Sequence, residues 1–139
     1  MISKDEFSKS PKFTALTAKV KAALDADPDY IQATSELEFA RNMYREMEQQ
    51  AMDADNAMSR AEYAEEDASD AEDEDGIADA MDDYAEAEDL KDEADAAMAK
   101  AQAKEVEVEL TMRRIEKKVI HNLISDPEDA ETVYHYYYD

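Results

Sequence analysis

Cysteine and tryptophan do not occur in this chain of 139 residues, glycine occurs once and histidine twice. With no cysteine there is no disulfide framework and no thiolate chemistry. The lone Gly76 leaves no glycine-rich loop to cradle phosphate, and His121 and His135 stand without metal-ligand spacing. No apolar run approaches the ~20 residues of a membrane span. The opening residues, Met-Ile-Ser-Lys-Asp-Glu-Phe-Ser, lack the apolar core of a signal peptide. These absences predict a cytoplasmic protein with no cofactor and no membrane partner. Positive charge is the remaining scarcity: 15 Lys and Arg stand against 38 Asp and Glu, a net charge of −23.

What the chain does have is a heptad seam, repeated. Tyr30, Ala33, Leu37, Ala40, Tyr44, Met47, Ala51, Ala54, Met58, Ala61, Glu65 and Ala68 follow one another at alternating spacings of three and four. A second seam runs through Ile77, Ala80, Tyr84, Ala87, Lys91, Ala94, Met98, Ala101, Glu105, Val108, Met112, Ile115, Val119 and Asn122, with Lys91, Glu105 and Asn122 as polar breaks. Two such seams face each other if the chain turns once, near Gly76, where Ser69 or Asp75 is placed to cap the returning helix. The expected fold is all-α: a long antiparallel helical hairpin, or coiled coil, of two arms roughly 60 Å long at 1.5 Å per residue. Alanines on the seam allow close approach, with Met and Tyr filling the layers between.

Around this hairpin the sequence predicts a flexible lead-in over 1–12, stopped by Pro11, and a helical domain over 13–131. A short amphipathic helix carries Phe13, Leu16, Val20 and Leu24 and ends at Asp25-Ala-Asp-Pro-Asp29, with Asp29 as the expected cap of the first long arm. Phe39, Met43 and Met52 flank the first seam and are the expected seat for that helix, giving a three-helix base. Arg113, Arg114, Lys117 and Lys118 read as partners of nearby carboxylates. The last stretch, 132–139, is β-branched and aromatic, and predicts an extended tail. Packed on the base, it is spent on folding. Left free, Tyr134, Tyr136, Tyr137 and Tyr138 form a sticky peptide or a homodimer contact.

The charge is concentrated. Residues 53–95 hold 20 Asp and Glu against Arg60 and Lys91 alone, a net −18, while 1–52 and 96–139 carry −2 and −3. Folded in half, that segment is roughly 32 Å long, about one net charge per 1.8 Å, close to the one per about 1.7 Å of duplex DNA. The match makes nucleic-acid mimicry physically reasonable and excludes direct binding of nucleic acid by the acidic tip. The tip residues Asp67, Asp70, Glu72, Asp73, Glu74, Asp75, Asp79, Asp82 and Asp83 are, with the tail tyrosines, the candidate interaction surface. A calcium loop of the EF-hand type is not expected at Gly76, because its first ligand position holds Ala71. A catalytic carboxylate pair needs a dry pocket, which a two-helix hairpin does not offer, so the chain reads as a non-enzyme.

Three stretches carry a family resemblance: Leu24-Asp-Ala-Asp-Pro-Asp-Tyr-Ile31, Leu37 to Glu48 with its Tyr44-Arg45-Glu46, and Leu123-Ile-Ser-Asp-Pro-Glu-Asp129 followed by Val133. Together with the order short helix, Asp-Pro turn, two long acidic helices, Asp-Pro break and strand, they resemble the N-terminal domain of bacterial class I peptide chain release factors. The Gly-Gly-Gln hydrolysis loop and the codon-reading tripeptide of that family have no counterpart here. The resemblance implies a stand-alone, non-catalytic module that binds the ribosome or modulates translation termination, with a protein or ribosome partner. The alternatives are an acidic mimic that occupies the nucleic-acid groove of another protein, as small viral inhibitors do, and a coiled-coil assembly protein.

Overall fold

The computed structural model describes residues 2–138, and among these every regular element is a helix. They run α1 (Lys4–Lys9), α2 (Pro11–Asp25), α3 (Pro28–Asp70), α4 (Glu74–Leu123) and α5 (Pro127–Val133), followed by a π-helical segment, Tyr134–Tyr138. α3 and α4 pack closely as an antiparallel hairpin, so the all-α hairpin expected from the seams is the fold. No helix among the described residues is long and apolar enough to cross a membrane. The chain forms two compact units, one of Met1–Glu38 with Glu105–Asp139 and one of Phe39–Lys104.

The three prolines begin helices rather than end them. Pro11, Pro28 and Pro127 each open a helix, where the missing N–H costs nothing and φ is already helical. Each follows a capping side chain. Ser10 accepts from the Phe13 N–H, Asp27 from those of Asp29 and Tyr30, and Asp126 from that of Glu128. The cap of α3 is therefore Asp27, not Asp29. The same chemistry corrects the lead-in: Ser3 caps α1 through the Glu6 N–H, and Phe7 on that helix is buried.

In the unit Phe39–Lys104, every fully buried residue is an alanine: Ala40, Ala51, Ala54, Ala61, Ala80, Ala87, Ala94 and Ala101. On α4 these recur strictly every seventh residue, with half-buried Tyr84, Lys91 and Met98 between them. Such a seam brings two backbones close but buries little more than one methyl per position, about 0.8 kcal/mol each. Lys91, on the seam, is satisfied by Asp55 of the facing helix at 2.8 Å. Of the residues flanking the first seam, Phe39 and Met52 are mostly exposed and Met43 is half-buried.

The turn between α3 and α4 is a Schellman motif. The Asp73 N–H donates to the Ala68 carbonyl at 2.8 Å and the Glu72 N–H to that of Ser69 at 3.1 Å. The residue that takes the left-handed conformation is Glu72, with φ 56°. Neither Ser69 nor Asp75 caps α4; Asp73 does, accepting from the Gly76 N–H at 3.1 Å. Gly76 is needed for closeness, since a Cβ there would lie 2.6 Å from Asp73 Oδ2 and 3.1 Å from Ala68 Cβ.

The large side chains gather in the other unit. Phe7, Phe13, Val20, Leu24, Ile120, Ile124, Ala130 and Val133 form one core. α2 packs on the end of α4 and on α5, and the Lys12–Asp129 ion pair at 2.7 Å ties α2 to α5. The expected extended tail is helical. Capping by Asp126 and burial of Ala130, Thr132 and Val133 override the strand preference of its residue types. Asn122, assigned to the seam, is exposed, because Ile120 and Ile124 turn this end of α4 toward α2 and α5.

Replacing Glu72 by glycine removes a side chain from a left-handed position where it costs roughly 1–2 kcal/mol, partly offset by the greater freedom of glycine in the unfolded chain. The expected outcome is a gain of up to about 1 kcal/mol in urea unfolding. A loss of stability contradicts this account of the turn.

Candidate functional site

Helix α3 carries Asp67 and Asp70 out to the turn, and α4 carries Glu74, Asp75, Asp79, Asp82 and Asp83 back from it, with Glu72 and Asp73 between. All nine side chains are exposed. The seam explains the display. Alanine occupies the inward positions, so acidic residues fill the outward positions of both helices, within one narrow cross-section. Neutralisation is slight, because Lys91 is held by Asp55 and Arg60 is the only other cation over 53–95. Asp73 is committed as a helix cap, and among the described residues no group of three or more His, Asp or Glu side chains is arranged to hold a metal ion. An open groove of about 450 Å³ lies between the two helices, lined by Ala57, Ala61, Ala64 and Ala87 together with Arg60, Asp83, Glu86 and Leu90.

The tail tyrosines belong to the other unit. Tyr134, Tyr136 and Tyr138 pack against the core, leaving Tyr137 as the exposed member at 48%. Phe7 stacks at 5.3 Å on both Phe13 and Tyr136, and the Tyr136 hydroxyl donates to the Ile2 carbonyl. Three of the four thus pack on the core, the alternative in which the tail is spent on folding, and Tyr137 stays on the candidate surface.

Two features escape a reading of residue types. The first is Glu116, only 7% exposed, whose Oε1 accepts from the Tyr30 hydroxyl at 2.9 Å. Burial raises the Glu116 pKa above the usual carboxylate range, against the opposing pull of the Tyr30 hydrogen bond and the Arg113 charge. Burial and the Glu116 contact likewise raise the pKa of Tyr30. The Tyr138 hydroxyl is buried without a partner, and burial followed by the charges of Tyr137, Glu116 and Asp25 raises its pKa. The one sequence signal was position: Glu116 adjoins the seam residue Ile115, and packing against α2 and the tail closes over it.

The second is the basic face of α4. Arg113, Arg114, Lys117 and Lys118 are exposed, and among the described residues no ion pair engages them. Lys117 lies over the Tyr134 ring at 4.9 Å. The expected interaction with a carboxylate holds for Arg113, whose charge acts on Glu116 one turn on without a direct ion pair, and not for the other three. Arg114, Lys117 and Lys118 have only cationic, apolar or neutral polar residues three and four positions away on the helix.

No family model, no curated protein and no solved structure matches the chain. The release-factor resemblance therefore rests on the residues quoted for it, and Val133, expected to open a strand, lies at the end of α5.

Because the folded-state pKa of Glu116 is raised, the stability tied to its protonated form is present below the ordinary glutamate pKa and lost as pH rises through the folded value. Glu116→Gln should be more stable than the parent at pH 7, and the difference should close below about pH 4. Tyr30→Phe should cost about 1–3 kcal/mol at pH 7 by orphaning the carboxylate. Urea titrations across pH measure both.

Proposed function

We propose that the protein is a non-catalytic, cytoplasmic interaction module whose acidic hairpin occupies a cation-lined groove of a partner protein, a groove that otherwise takes nucleic acid. The observation that carries this reading is the exposure of the tip carboxylates with only Arg60 and Lys91 among them, Lys91 already being paired. Lysine and arginine side chains lining a phosphate-binding groove meet negative charge at nearly the spacing of a duplex. The fit favours protein over nucleic acid as the direct partner, because a polyanion is repelled by the same field. A release-factor-like role at the ribosome is the competing reading, and it places the binding surface outside residues 53–95.

The test uses the intact protein beside a variant in which Asp67, Asp70, Glu72, Asp73, Glu74, Asp75, Asp79, Asp82 and Asp83 become the corresponding amides. Asparagine is as good a helix cap as aspartate, so Asp73→Asn leaves the turn intact. Each is immobilised and exposed to cell lysate, then washed with short duplex DNA as competitor. Mimicry predicts that the parent captures nucleic-acid-binding proteins, that duplex DNA releases them, and that the amide variant retains on the order of a tenth or less, as expected when several charge contacts are lost together. Ribosomes or release factors retained equally by both proteins, and not displaced by DNA, would overturn it.

A further inference from the structure

Val106, Leu110, Arg113 and Lys117 form one stripe along α4, with Arg114 and Lys118 beside it. Val106 and Leu110 are 54% and 48% exposed. No direct ion pair engages the four cations among the described residues. Arg113 has Glu109 and Glu116 one turn away, whereas Arg114, Lys117 and Lys118 have cations there and no carboxylate. A face that joins exposed apolar side chains to unpaired positive charge is complemented by a surface offering carboxylates and apolar side chains together. A phosphate backbone offers only the charge.

The hairpin groove offers both. Its lining includes Asp83 and Glu86, with Arg60 as its single cation, and the small, accessible Ala57 and Ala64 leave room for another helix to approach. Leu90, also in the lining, is 54% exposed. We propose that the Val106–Lys118 face of α4 docks into the α3–α4 groove of a second copy of this chain, with Leu110 toward the alanines and Leu90 and the cations toward Asp83 and Glu86. Net repulsion between two chains of −23 is screened beyond about 8 Å at physiological salt, whereas contacts at hydrogen-bond range are not. This contact does not depend on the mimicry reading, which concerns a foreign partner.

Sedimentation equilibrium of the full chain near physiological salt tests it. The parent should associate in a concentration-dependent way. One variant carries Arg113→Glu, Arg114→Glu and Lys117→Glu; another carries Asp83→Lys and Glu86→Lys. All these residues are exposed, so helix content by circular dichroism should be unchanged. Each variant alone should self-associate on the order of tenfold more weakly or worse. Mixed in equal amounts they should recover association, because the acidic groove of the first and the basic face of the second are both native. The milder set Arg113→Gln, Arg114→Gln and Lys117→Gln should fall between. A parent that stays monomeric to about millimolar concentration, variants that associate like the parent, or a mixture that stays monomeric would each overturn the proposal.

Discussion

The contact between alanines on two facing helices sets the terms for the rest of this molecule. In the unit Phe39–Lys104 the fully buried positions admit nothing larger than a methyl group, so α3 and α4 lie close and their outward faces crowd together. A close seam between small residues has a high ratio of surface to core, and here that surface is acidic. Hairpin stability and hairpin charge thus share one cause. Each heptad contributes little apolar burial while adding like charge, which Lys91 reduces through Asp55.

The other unit follows a different rule. Its core around Ile120, Val20, Leu24 and Val133 draws its buried residues from α1, α2, α4 with the adjoining Ile124, and α5, and it contains the fully buried bulky residues of the described chain. Caps and proline starts fix where each short helix begins, and aromatic packing of Phe7, Phe13 and Tyr136 closes the N-terminal helix and the tail against one another. Enclosing α4 from several directions has a consequence that two helices alone would not produce: Glu116 loses its water and keeps the Tyr30 hydroxyl in its place. The same arrangement leaves Arg113, Arg114, Lys117 and Lys118 exposed on α4.

Function, on this reading, is a matter of fields and surfaces rather than of a reactive centre. The acidic display and the basic face reside in different units, and each is the outward consequence of what its own unit buries. The release-factor resemblance depended partly on a strand after Asp126, and Asp126 instead caps a helix. That shifts the weight of the functional argument onto the hairpin carboxylates.

Sequence alone determined the heptad seams, the sign and location of the charge, and the absence of thiol chemistry and of membrane-length apolar runs, because these depend on residue order and composition. Nearly every seam position, including the polar Glu65, Lys91 and Glu105, is at least half-buried. Tertiary structure decided what depends on neighbours remote in the chain. The residue types of the tail predict an extended segment, yet it is helical, since burial against the core outweighs local preference, and its packing is the alternative in which the tail is spent on folding. Asp27 rather than Asp29 caps α3, and Asp73 rather than Ser69 or Asp75 caps α4, because cap geometry is settled one hydrogen bond at a time. Glu116 became buried, and Arg113, Arg114, Lys117 and Lys118 stayed exposed, only once α2 and α5 had chosen one side of α4. No periodicity in a single helix encodes which of its faces a distant segment will cover.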